Sequence, residues 1–592
     1  MIILGLSGGF HDAAAALVVD GEVVAAVEQE RLSRRKHDPS FPADAAATCL
    51  AIAGIDAGDI SLVVGHEKPL DVVARHLAGR VRSGPAAFVP FVRSTPAAVR
   101  TQLAIGHRIS RWFRERSAPV PPVQYVPHHT SHAASAFYPS PFDDAATLTV
   151  DGVGEWATST IGVGHAHRLR VDRELRYPDS VGLLYSAFTS YCGLRVNSGE
   201  GELMGLAPYG EPRHVEQILD ELVELRPDGS IVLDQRSFAF VRGGAMTSDR
   251  FHRAFGGPPL PLGTPPGQRE ADLAASIQVV LEEILLAMAA EARARSGSPN
   301  LCLAGGTALN CAANGRLRRE AGFDGVWVQP AAGDAGGAVG AALWTWHEAL
   351  GNPRPTRRGD GMSGAFLGPA FSRREVEEWA AREGLRPAVI PDDEERARAV
   401  AARLDAGAVV GWFTGRMEFG PRALGHRSIL ADPRVAASRD RVNAAVKERA
   451  RFRPLAPAVL AERADELFET GGPSPYMTFT VPVKGTGPDP ATGSDEPGGL
   501  LARLARVGGP IPAVTHVDGS ARIQTVDARE NPELHRLLAA FDERTGCPAL
   551  LNTSFNRRDE PIVCTPADAL ASARHLGLDL LVIEHLLIEL EP

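Results

Sequence analysis

The sequence predicts an α/β protein with two domains, the first of which is internally duplicated. Apolar strand-like runs alternate with Ala-rich helical segments along the chain. One pattern occurs twice: an apolar strand, an acidic Gly-containing turn and a returning strand, first around Asp20-Gly21 and again around 151–154. A polar Pro/Gly/Arg stretch at 351–364 then precedes a second α/β region.

The repeated hairpin indicates a nucleotide site between two related halves. Duplicated domains of the actin and sugar-kinase kind direct such turns towards nucleotide phosphates, where backbone N–H groups meet negative charge. Two unrelated hairpins would give the same local pattern, so both interpretations stay open on this evidence alone.

Composition and charge exclude several classes of protein. The 592 residues are 44% hydrophobic, and the net charge is −10, so no basic face for nucleic acid is expected. The six cysteines form no CxxC pair, which favours free thiols in a reducing cytoplasm over zinc or disulfides. The N-terminus lacks the charged region of a signal peptide, and no apolar run reaches about 18 residues. A cytoplasmic protein with no membrane partner is therefore expected. The segment 484–499 is low in apolar residues and is expected to be an insertion.

Three histidines cluster in "HHTSHAASAF", residues 128–137. On a helix, His128 and His132 lie four residues apart on one face, a spacing that suits two metal ligands, whereas His129 points elsewhere. Asp334, in "GDAGGAVGAAL", offers a carboxylate as a third ligand for Fe(II), Mn(II) or Zn(II). An isolated pair of this kind is also typical of capping and packing histidines. The sequence alone does not bring Asp334 near them.

Basic residues concentrate between 415 and 460, among Gly, Pro and Phe rather than Glu. Guanidinium groups match phosphate oxygens, so this composition favours a convergent phosphate site over a solvated basic face. "HVDGSARIQTV" adds Arg522, and "LLNTSFN" adds Asn552 and Ser554 on a turn after a strand, although such turns are also common without function. The chain has no Walker motif and no GxSxG nucleophile elbow.

Ten motifs occur here in the order found in one family. They include "GFHDAAAALVVDGEVVAAVEQER", "HHTSHAASAF", "DGVGEW", "GELMGLAPYG", "LAGGTALNC", "FGPRALGHRSILADPR" and "FRPLAPAVL". Together they cover nearly the whole chain. The sequence resembles the O-carbamoyltransferases of the NodU/CmcH type, which act in antibiotic and Nod-factor biosynthesis.

The resemblance implies a Kae1-like domain of the actin superfamily at residues 1–352, a linker at 353–362, and a YrdC-like α/β domain at 363–592. It implies that the second domain makes carbamoyl adenylate from carbamoyl phosphate and ATP. The first domain would then transfer the carbamoyl group to the hydroxyl of a small-molecule natural product, releasing AMP. The expected cofactors are ATP, Mg2+ and Fe2+ or another divalent metal. Oligomeric state is open, a homodimer included.

The resemblance also assigns residues to roles. His128, His132 and Asp334 match its metal ligands. The nucleotide-binding turns of the first domain match Asp151, Gly152, Gly305, Gly306 and Asn310. The carbamoyl-phosphate and ATP site of the second domain matches Arg422, Lys447, Arg453, Arg522, Asn552 and Ser554, and Arg416 and Ser428 lie in the same motif.

The attacking hydroxyl of the acceptor is a weak nucleophile and benefits from a base. His11 and Asp12, on the first Gly-rich turn, are the candidates, although His11 is equally suited to capping that turn and orienting the acceptor. The acceptor itself is not readable. As a hypothesis, residues 66–115, with Phe91 and Trp112, line its groove.

Two alternatives compete with carbamoyl transfer to a small molecule. Kae1-like and YrdC-like proteins also make threonylcarbamoyl-modified tRNA, but the fused arrangement and the acidic charge balance disfavour that activity here. A regulator that binds nucleotide and metal at a decayed site is the second alternative. Retention of every candidate ligand disfavours it.

Overall fold

The computed structural model describes residues 1–9, 11–82, 102–241, 244–355, 359–446, 452–486, 503–504 and 506–590. They divide into two compact units. The first unit comprises Met1–Gln29 and His37–Gly361, and the second comprises Glu30–Lys36 and Met362–Pro592. A short N-terminal segment therefore belongs to the unit that is otherwise built from the C-terminal part of the chain.

A mixed five-stranded sheet opens the first unit. Its strands are β1 (Ile2–Ser7), β2 (Ala14–Val19), β3 (Glu22–Glu28), β4 (Leu62–Gly65) and β5 (Val123–Tyr125). Their order is β3-β2-β1-β4-β5, in which β1 is antiparallel to β2 and parallel to β4. Asp20 and Gly21 join β2 to β3 with φ of 48° and 87°, as the predicted two-residue hairpin turn requires.

A second sheet in this unit repeats that topology. The next strands are β6 (Asp144–Val150), β7 (Ala157–His165), β8 (Arg168–Arg176), β9 (Val223–Leu225), β10 (Ile231–Leu233), β11 (Asn300–Ala304) and β12 (Gly325–Val328). β9 and β10 pair only with each other, and the others form a sheet in the order β12-β11-β6-β7-β8. As in the first sheet, the central strand is antiparallel to the next strand of the chain and parallel to a later one. The predicted internal duplication is confirmed.

The described helices in this part of the chain are α1 (Gln29–Ser33), which lies mostly in the second unit, α2 (Ala43–Ala53), α3 (Pro69–Arg82), α4 (Ile105–Glu115), α5 (His128–Phe137), α6 (Val181–Tyr191), α7 (Glu200–Leu206), α8 (Val215–Glu221), α9 (Asp249–Ala254), α10 (Gln268–Ser296), α11 (Cys311–Glu320) and α12 (Asp334–Trp344). Helix α10 is long and apolar enough by composition to cross a membrane, although Glu282 and Glu283 interrupt its apolar residues. Its apolar window is 67% buried in the structure, which is what a core helix shows.

The second unit contains a mixed eight-stranded sheet. The described strands of this unit are β13 (Ala388–Val389), β14 (Val410–Phe413), β15 (Arg427–Ala431), β16 (Ala456–Leu460), β17 (Thr480–Pro482), β18 (Ser520–Arg522), β19 (Gln524–Val526), β20 (Ala549–Ser554), β21 (Leu580–Ile583) and β22 (Leu586–Glu589). The order is β13-β22-β21-β14-β15-β20-β16-β19, and β17 pairs with β18 separately. The α/β class predicted for both regions is confirmed.

Among the described residues, six helices complete the second unit. They are α13 (Arg373–Arg382), α14 (Asp393–Asp405), α15 (Ala436–Asp440), α16 (Ala464–Leu467), α17 (Pro532–Thr545) and α18 (Pro566–His575). Helices α14 and α17 pack together, and the core against the sheet includes Trp412, Phe541 and Leu551, all fully or nearly fully buried. All six cysteines of the chain are buried, and none of them forms a disulfide bond, as predicted.

Candidate functional sites

Helix α5, which carries the three clustered histidines, begins at a carboxylate cap. Both oxygens of Glu155 accept the backbone N–H of His128, at 3.0 and 3.1 Å, and Oε1 also accepts the N–H of Lys68 at 2.8 Å. A helix N-terminus presents unpaired N–H groups and partial positive charge, so a buried carboxylate stabilises it. Glu155 thereby fixes the backbone from which the first histidine projects.

Two imidazoles and two carboxylates of the first unit lie close together. Nε2 of His128 and Nε2 of His132 lie 3.1 Å apart, and each lies 3.1 Å from Oδ2 of Asp151. Oδ1 of Asp334 lies 3.6 Å from the first imidazole nitrogen and 3.5 Å from the second. The sequence placed Asp151 on a nucleotide-binding turn, and the structure also makes its carboxylate a neighbour of the histidine pair.

Small residues bring the carboxylate of Asp334 into reach of the imidazoles. Asp334 is the first residue of helix α12, which packs against α5. A Cβ on Gly340 would lie 1.8 Å from the carbonyl oxygen of Ser131, and a Cβ on Gly336 would lie 2.1 Å from that of Ala331. Only glycine permits this approach, which explains the run of glycine and alanine after the aspartate.

The electrostatics of the cluster reflect two buried carboxylates facing two imidazoles. Burial lowers the pKa of His128, but its bond to Asp151 and the charge of Asp334 outweigh burial and raise that pKa to about 10. The same carboxylates raise the pKa of His132 against desolvation. Burial works against ionisation of Asp151, yet the imidazoles hold its pKa well below the usual range. Protons on the histidines thus balance the carboxylates.

The donor set fits a divalent cation. The ligand atoms of His128, His132, Asp151 and Asp334 all lie within 4.8 Å of one another, and all four side chains are buried or nearly so. Two ligands about 2 Å from one ion at tetrahedral or octahedral angles stand about 3 Å apart, as the two imidazole nitrogens do. Two imidazoles and two carboxylates suit Fe(II), Mn(II) or Zn(II), and such an ion would replace the balancing protons.

His129 points away from this cluster, as predicted for its position on the helix. Its Nδ1 lies 2.7 Å from Oγ1 of Thr149, which in turn lies 2.6 Å from Oγ1 of Thr160. Burial, together with the neighbouring histidines, lowers the pKa of His129 well below its usual value. A neutral packing role follows for this imidazole.

The two candidate bases lie beside the cluster. Nδ1 of His11 lies 3.1 Å from Oδ2 of Asp12 and 3.7 Å from Oδ2 of Asp334. Nδ1 of His37 lies 2.9 Å from the other oxygen of Asp12, a contact that the sequence did not suggest. Burial lowers the pKa of His11, but Asp334 and Asp12 together raise it to about 9. Asp12, flanked by two imidazoles, keeps a depressed pKa despite burial. The shared proton therefore resides on His11, and the carboxylate of Asp12 accepts its hydrogen bond.

The predicted nucleotide-binding turns also meet near Asp151. Gly305 has φ of 94°, and a Cβ there would lie 2.3 Å from the carbonyl oxygen of Val150. A Cβ on Gly306 would lie 3.0 Å from Oδ1 of Asp151, and the N–H of Gly152 donates to that same oxygen at 2.7 Å. The turns after β6 and β11 are therefore adjacent.

Asn310, which is predicted to lie on a nucleotide-binding turn, has a structural role. Its side-chain oxygen accepts the N–H of Ala313 at 3.0 Å, which caps helix α11. Its amide nitrogen donates to Gln278 at 2.9 Å. Both ends of the buried amide are thus held by protein groups.

In the second unit, Arg416, three residues before the "FGPRALGHRS" motif, and Ser428 within it hold the loop itself. The guanidinium of Arg416 donates to the carbonyl oxygens of Leu367 and Gly368, at 2.6 and 3.2 Å. The hydroxyl of Ser428 is fully buried and accepts the N–H of Gly425 at 3.0 Å. These bonds shape the loop from which Arg422 projects.

A buried glutamate that the sequence did not single out organises the same loop. Oε1 of Glu418 accepts three backbone N–H groups, those of Leu424, His426 and Arg427, at 2.7, 2.9 and 3.2 Å. The ring of His426 stacks on Phe366 with centroids 3.6 Å apart. In the sequence this residue is only a lone carboxylate among basic and apolar residues, with no motif that marks its role.

Asn552 on β20 connects this loop to β19. Its amide nitrogen donates to the carbonyl oxygen of Ala423 at 3.3 Å and to Gln524 at 2.8 Å, and Gln524 donates to the carbonyl oxygen of Leu424 at 2.6 Å. Among the described residues, Oδ1 of Asn552 and Nε of Arg522 are buried without a hydrogen-bond partner. Both groups could bind a ligand.

The remaining predicted residues have mixed outcomes. Ser554 lies opposite Ser428 in the β15–β20 pairing and donates to Asn556 at 2.6 Å. The backbone oxygen of Arg453 accepts from Asn443 at 3.0 Å. Lys447 and Phe91 lie outside the described residues.

The groove hypothesis is wrong for Trp112, which is 3% exposed and donates to the carbonyl oxygen of Ala43. Trp112 packs in the core.

Comparisons with known proteins point to one family. Residues 2–343 match the family described as "Carbamoyltransferase N-terminus", and residues 401–590 match "Carbamoyltransferase C-terminus". The Synechocystis protein called "Uncharacterized protein sll1178" is 46% identical across 99% of this chain and 96% of its own. Nodulation protein NolNO of Sinorhizobium fredii is 38% identical across 100% of this chain and 82% of its own. Nodulation protein NolO of Bradyrhizobium diazoefficiens is 37% identical across 78% and 79%.

Proposed function

The chain belongs to the carbamoyltransferase family, and from this premise we propose that it joins two half-reactions. The first uses carbamoyl phosphate and ATP to form carbamoyl adenylate. The second transfers the carbamoyl group to a hydroxyl of a small-molecule natural product. The cluster of His128, His132, Asp151 and Asp334 beside His11 and Asp12 is the observation on which this proposal depends.

The activation step is assigned to the second unit. Hydrolysis of carbamoyl phosphate gives carbamate and phosphate. An oxygen of carbamate then attacks the α-phosphorus of ATP, and the bond to the β-phosphate breaks, releasing pyrophosphate. Two polyanions must be held together, which requires cationic and N–H donors. We assign this task to Arg422, Lys447, Arg453 and Arg522, with Asn552 and Ser554 as neutral donors or acceptors, and Mg2+ on the nucleotide.

The transfer step is assigned to the first unit. The acceptor oxygen attacks the carbamoyl carbon, the bond from that carbon to the AMP oxygen breaks, and the hydroxyl proton passes to a base. The pair of His11 and Asp12 is proposed as that base, because the ionised carboxylate of Asp12 orients the imidazole and raises its affinity for a proton. Protonated His11 then stays beside the departing phosphate.

The four-residue cluster is proposed as a divalent metal site, with Fe2+ as the expected ion. When bound, the ion supplies Lewis acidity and fixed positive charge at the phosphate of AMP. His128 and His132 orient it from helix α5, and Glu155 holds the start of that helix in place. Asp151 links this centre to the turns of Gly152, Gly305 and Gly306, which are proposed to bind the nucleotide.

A Kae1-like domain of the actin superfamily and a YrdC-like domain are the proposed relationships of the two units. The repeated sheet order in the first unit supports the former, since duplicated domains of that kind place a nucleotide between their halves. Nothing observed favours the alternative of tRNA modification.

The test is a half-reaction assay. Purified protein receives ATP, Mg2+ and carbamoyl phosphate without an acceptor, and pyrophosphate release and ATP–pyrophosphate exchange are both followed. We expect both signals to depend on carbamoyl phosphate. Exchange gives an independent readout if the adenylate stays bound until an acceptor arrives.

The proposal is wrong if neither signal depends on carbamoyl phosphate. A parallel reaction with L-threonine and bicarbonate separates the alternatives. Formation of a threonyl-containing adenylate there, without activity on carbamoyl phosphate, would assign the chain to threonylcarbamoyl chemistry.

A further inference from the structure

A short N-terminal segment, Glu30–Lys36, belongs to the second unit although the residues on either side of it belong to the first. Its sequence, "ERLSRRK", contains four cations and one carboxylate. Such a segment would ordinarily be a solvated surface turn. Here it makes specific bonds to two loops that lie about 400 and 530 residues further along the chain.

The first anchor is Arg31. Its side chain is about 5% exposed, and Nη2 donates to the carbonyl oxygen of Gly420 at 2.9 Å. Nη1 lies 2.7 Å from Glu30, which compensates the buried charge. Gly420 has φ of 117° and stands two residues before Arg422. The guanidinium therefore fixes the backbone at the base of a proposed phosphate-binding arginine.

The second anchor is Arg34. Nη1 donates to the carbonyl oxygen of Ile562 at 2.6 Å, and Nη2 donates to that of Pro561 at 2.9 Å. Its guanidinium also lies 3.7 Å from Glu560 and 3.5 Å from Asp568. This planar fork uses two nitrogens on two successive carbonyls, a geometry that lysine cannot reproduce.

Between the anchors, Leu32 packs into a small apolar cluster of Met417, Ala423, Ile562 and Cys564. Two of these residues flank the Arg422 loop, and two belong to the strand-to-helix connection after Ser554. The segment thus bonds to both loops and fills the space between them. Its contacts therefore link the two loops to each other.

Lys36 ends the segment beside the second loop. Its side chain is exposed, and Nζ donates to the carbonyl oxygen of Arg558 at 3.4 Å.

We propose that Glu30–Lys36 is a structural part of the carbamoyl-adenylate-forming site, with Arg31 and Arg34 as its positioning residues. This inference rests on the proposed function of the second unit. It adds to that site residues from the opposite end of the chain. Phosphate and ATP would be bound by the loops that the segment holds.

The experiment compares Arg34→Lys and Arg31→Lys with Arg35→Lys in the full-length protein. Arg35 is exposed and belongs to the same segment, so it controls for loss of a guanidinium there. Each variant is assayed for pyrophosphate release with ATP and carbamoyl phosphate. Hydrogen exchange of residues 417–424 and 556–564 is measured in parallel, with the thermal midpoint as a check on folding.

We expect Arg34→Lys and Arg31→Lys to raise the KM for carbamoyl phosphate by about tenfold or more, since small displacements of positioning groups cost this much. Exchange should accelerate in both loops, and the thermal midpoint and metal binding by the first unit should stay unchanged. Arg35→Lys should match the wild type. If one anchor variant fails to fold, the other decides the question.

Two results would overturn the inference. One is a wild-type KM in both anchor variants with hydrogen exchange in the loops unchanged. The other is a wild-type KM in both variants although hydrogen exchange in the loops is faster. Failure of the proposed function gives a different pattern, because the wild-type protein itself would then show no signal that depends on carbamoyl phosphate.

Discussion

Nε2 of His132 and Oδ2 of Asp151 lie 3.1 Å apart, although one residue is on a helix and the other follows a strand. The same oxygen lies equally far from Nε2 of His128. One carboxylate oxygen thus serves two imidazoles. In a metal-free protein this requires shared protons, and with a bound divalent ion the three atoms would become ligands.

Asp151→Asn should weaken metal binding. The amide has the size of the carboxylate but no charge, so we expect at least a tenfold loss of affinity for Mn2+ or Co2+. Isothermal titration on chelator-treated protein measures the affinity, and the Co2+ absorption spectrum reports the ligand set. His129→Gln is the control, because that imidazole bonds to Thr149 instead. Equal affinities in all three proteins would exclude Asp151 as a ligand.

His128→Ala and Arg522→Ala should separate the two half-reactions. The first removes a cluster ligand in one unit, so acceptor carbamoylation should be lost while pyrophosphate release stays near wild type. The second removes a half-buried arginine on β18 in the other unit, so pyrophosphate release itself should fall by roughly a hundredfold. Assays of each step on both variants test this. Equal losses in both steps for both variants would argue against two separate sites.

Glu155→Gln should destabilise the start of helix α5. The carboxylate accepts N–H groups with both oxygens, and an amide retains only one acceptor, so we expect a loss of about 1–2 kcal/mol. Thermal unfolding measures it, and metal titration shows whether the histidines lose their geometry. Glu348→Gln, where a carboxylate also accepts a backbone N–H, that of Leu169 at 2.9 Å, is the matched control. A larger effect in the control would contradict the capping role.

Local patterns predicted much of the fold. Alternation of apolar strands with Gly-rich turns predicted both hairpins of the first unit, and the helical spacing of His128 and His132 predicted that they share a face. These features depend on neighbours in the chain. Membership of Asp151 in the cluster could not be predicted in this way, because strand β6 and helix α5 meet only in the folded unit.

Long-range contacts with the backbone explain the other residues whose roles the sequence analysis missed or predicted wrongly. Trp112 was predicted to line a groove because it is aromatic and lies among basic residues, but its N–H bonds to Ala43 inside the core. Glu418 has no distinctive local motif, and its role follows from three N–H groups on a loop that folds back over it. Such partners are set by tertiary structure and leave little trace in spacing.

Gly305→Ala should be more damaging than an ordinary glycine substitution. The residue has φ of 94°, and an added Cβ would lie 2.3 Å from a backbone oxygen of Val150. We expect a loss of more than about 2 kcal/mol. Gly297→Ala is the control, because Gly297 also has positive φ, 65°, but open space around it, and should cost about 1 kcal/mol. Thermal midpoints compare them; equal shifts would mean that the turn relaxes freely.

Glu584→Gln should change how stability depends on pH. Burial is the main cause that raises the pKa of this carboxyl from 4.5 to about 7, Glu533 adds to it, and the N–H of Gly415 donates to Oε1 at 2.8 Å. A carboxyl whose pKa is raised by folding holds its proton more tightly in the native state. Its contribution to stability is therefore complete below about pH 4.5 and is lost as pH rises through 7.

Urea unfolding, followed by tryptophan fluorescence at pH 5 and pH 8, tests this dependence. The wild-type protein should lose on the order of 2 kcal/mol more than the Glu584→Gln variant between these pH values, because glutamine keeps the acceptor for Gly415 but does not titrate. Glu543→Gln, at an exposed position on α17, should behave like the wild type. A variant whose stability falls as steeply as that of the wild type would show that other groups titrate in this range, and the raised pKa of Glu584 would then be wrong.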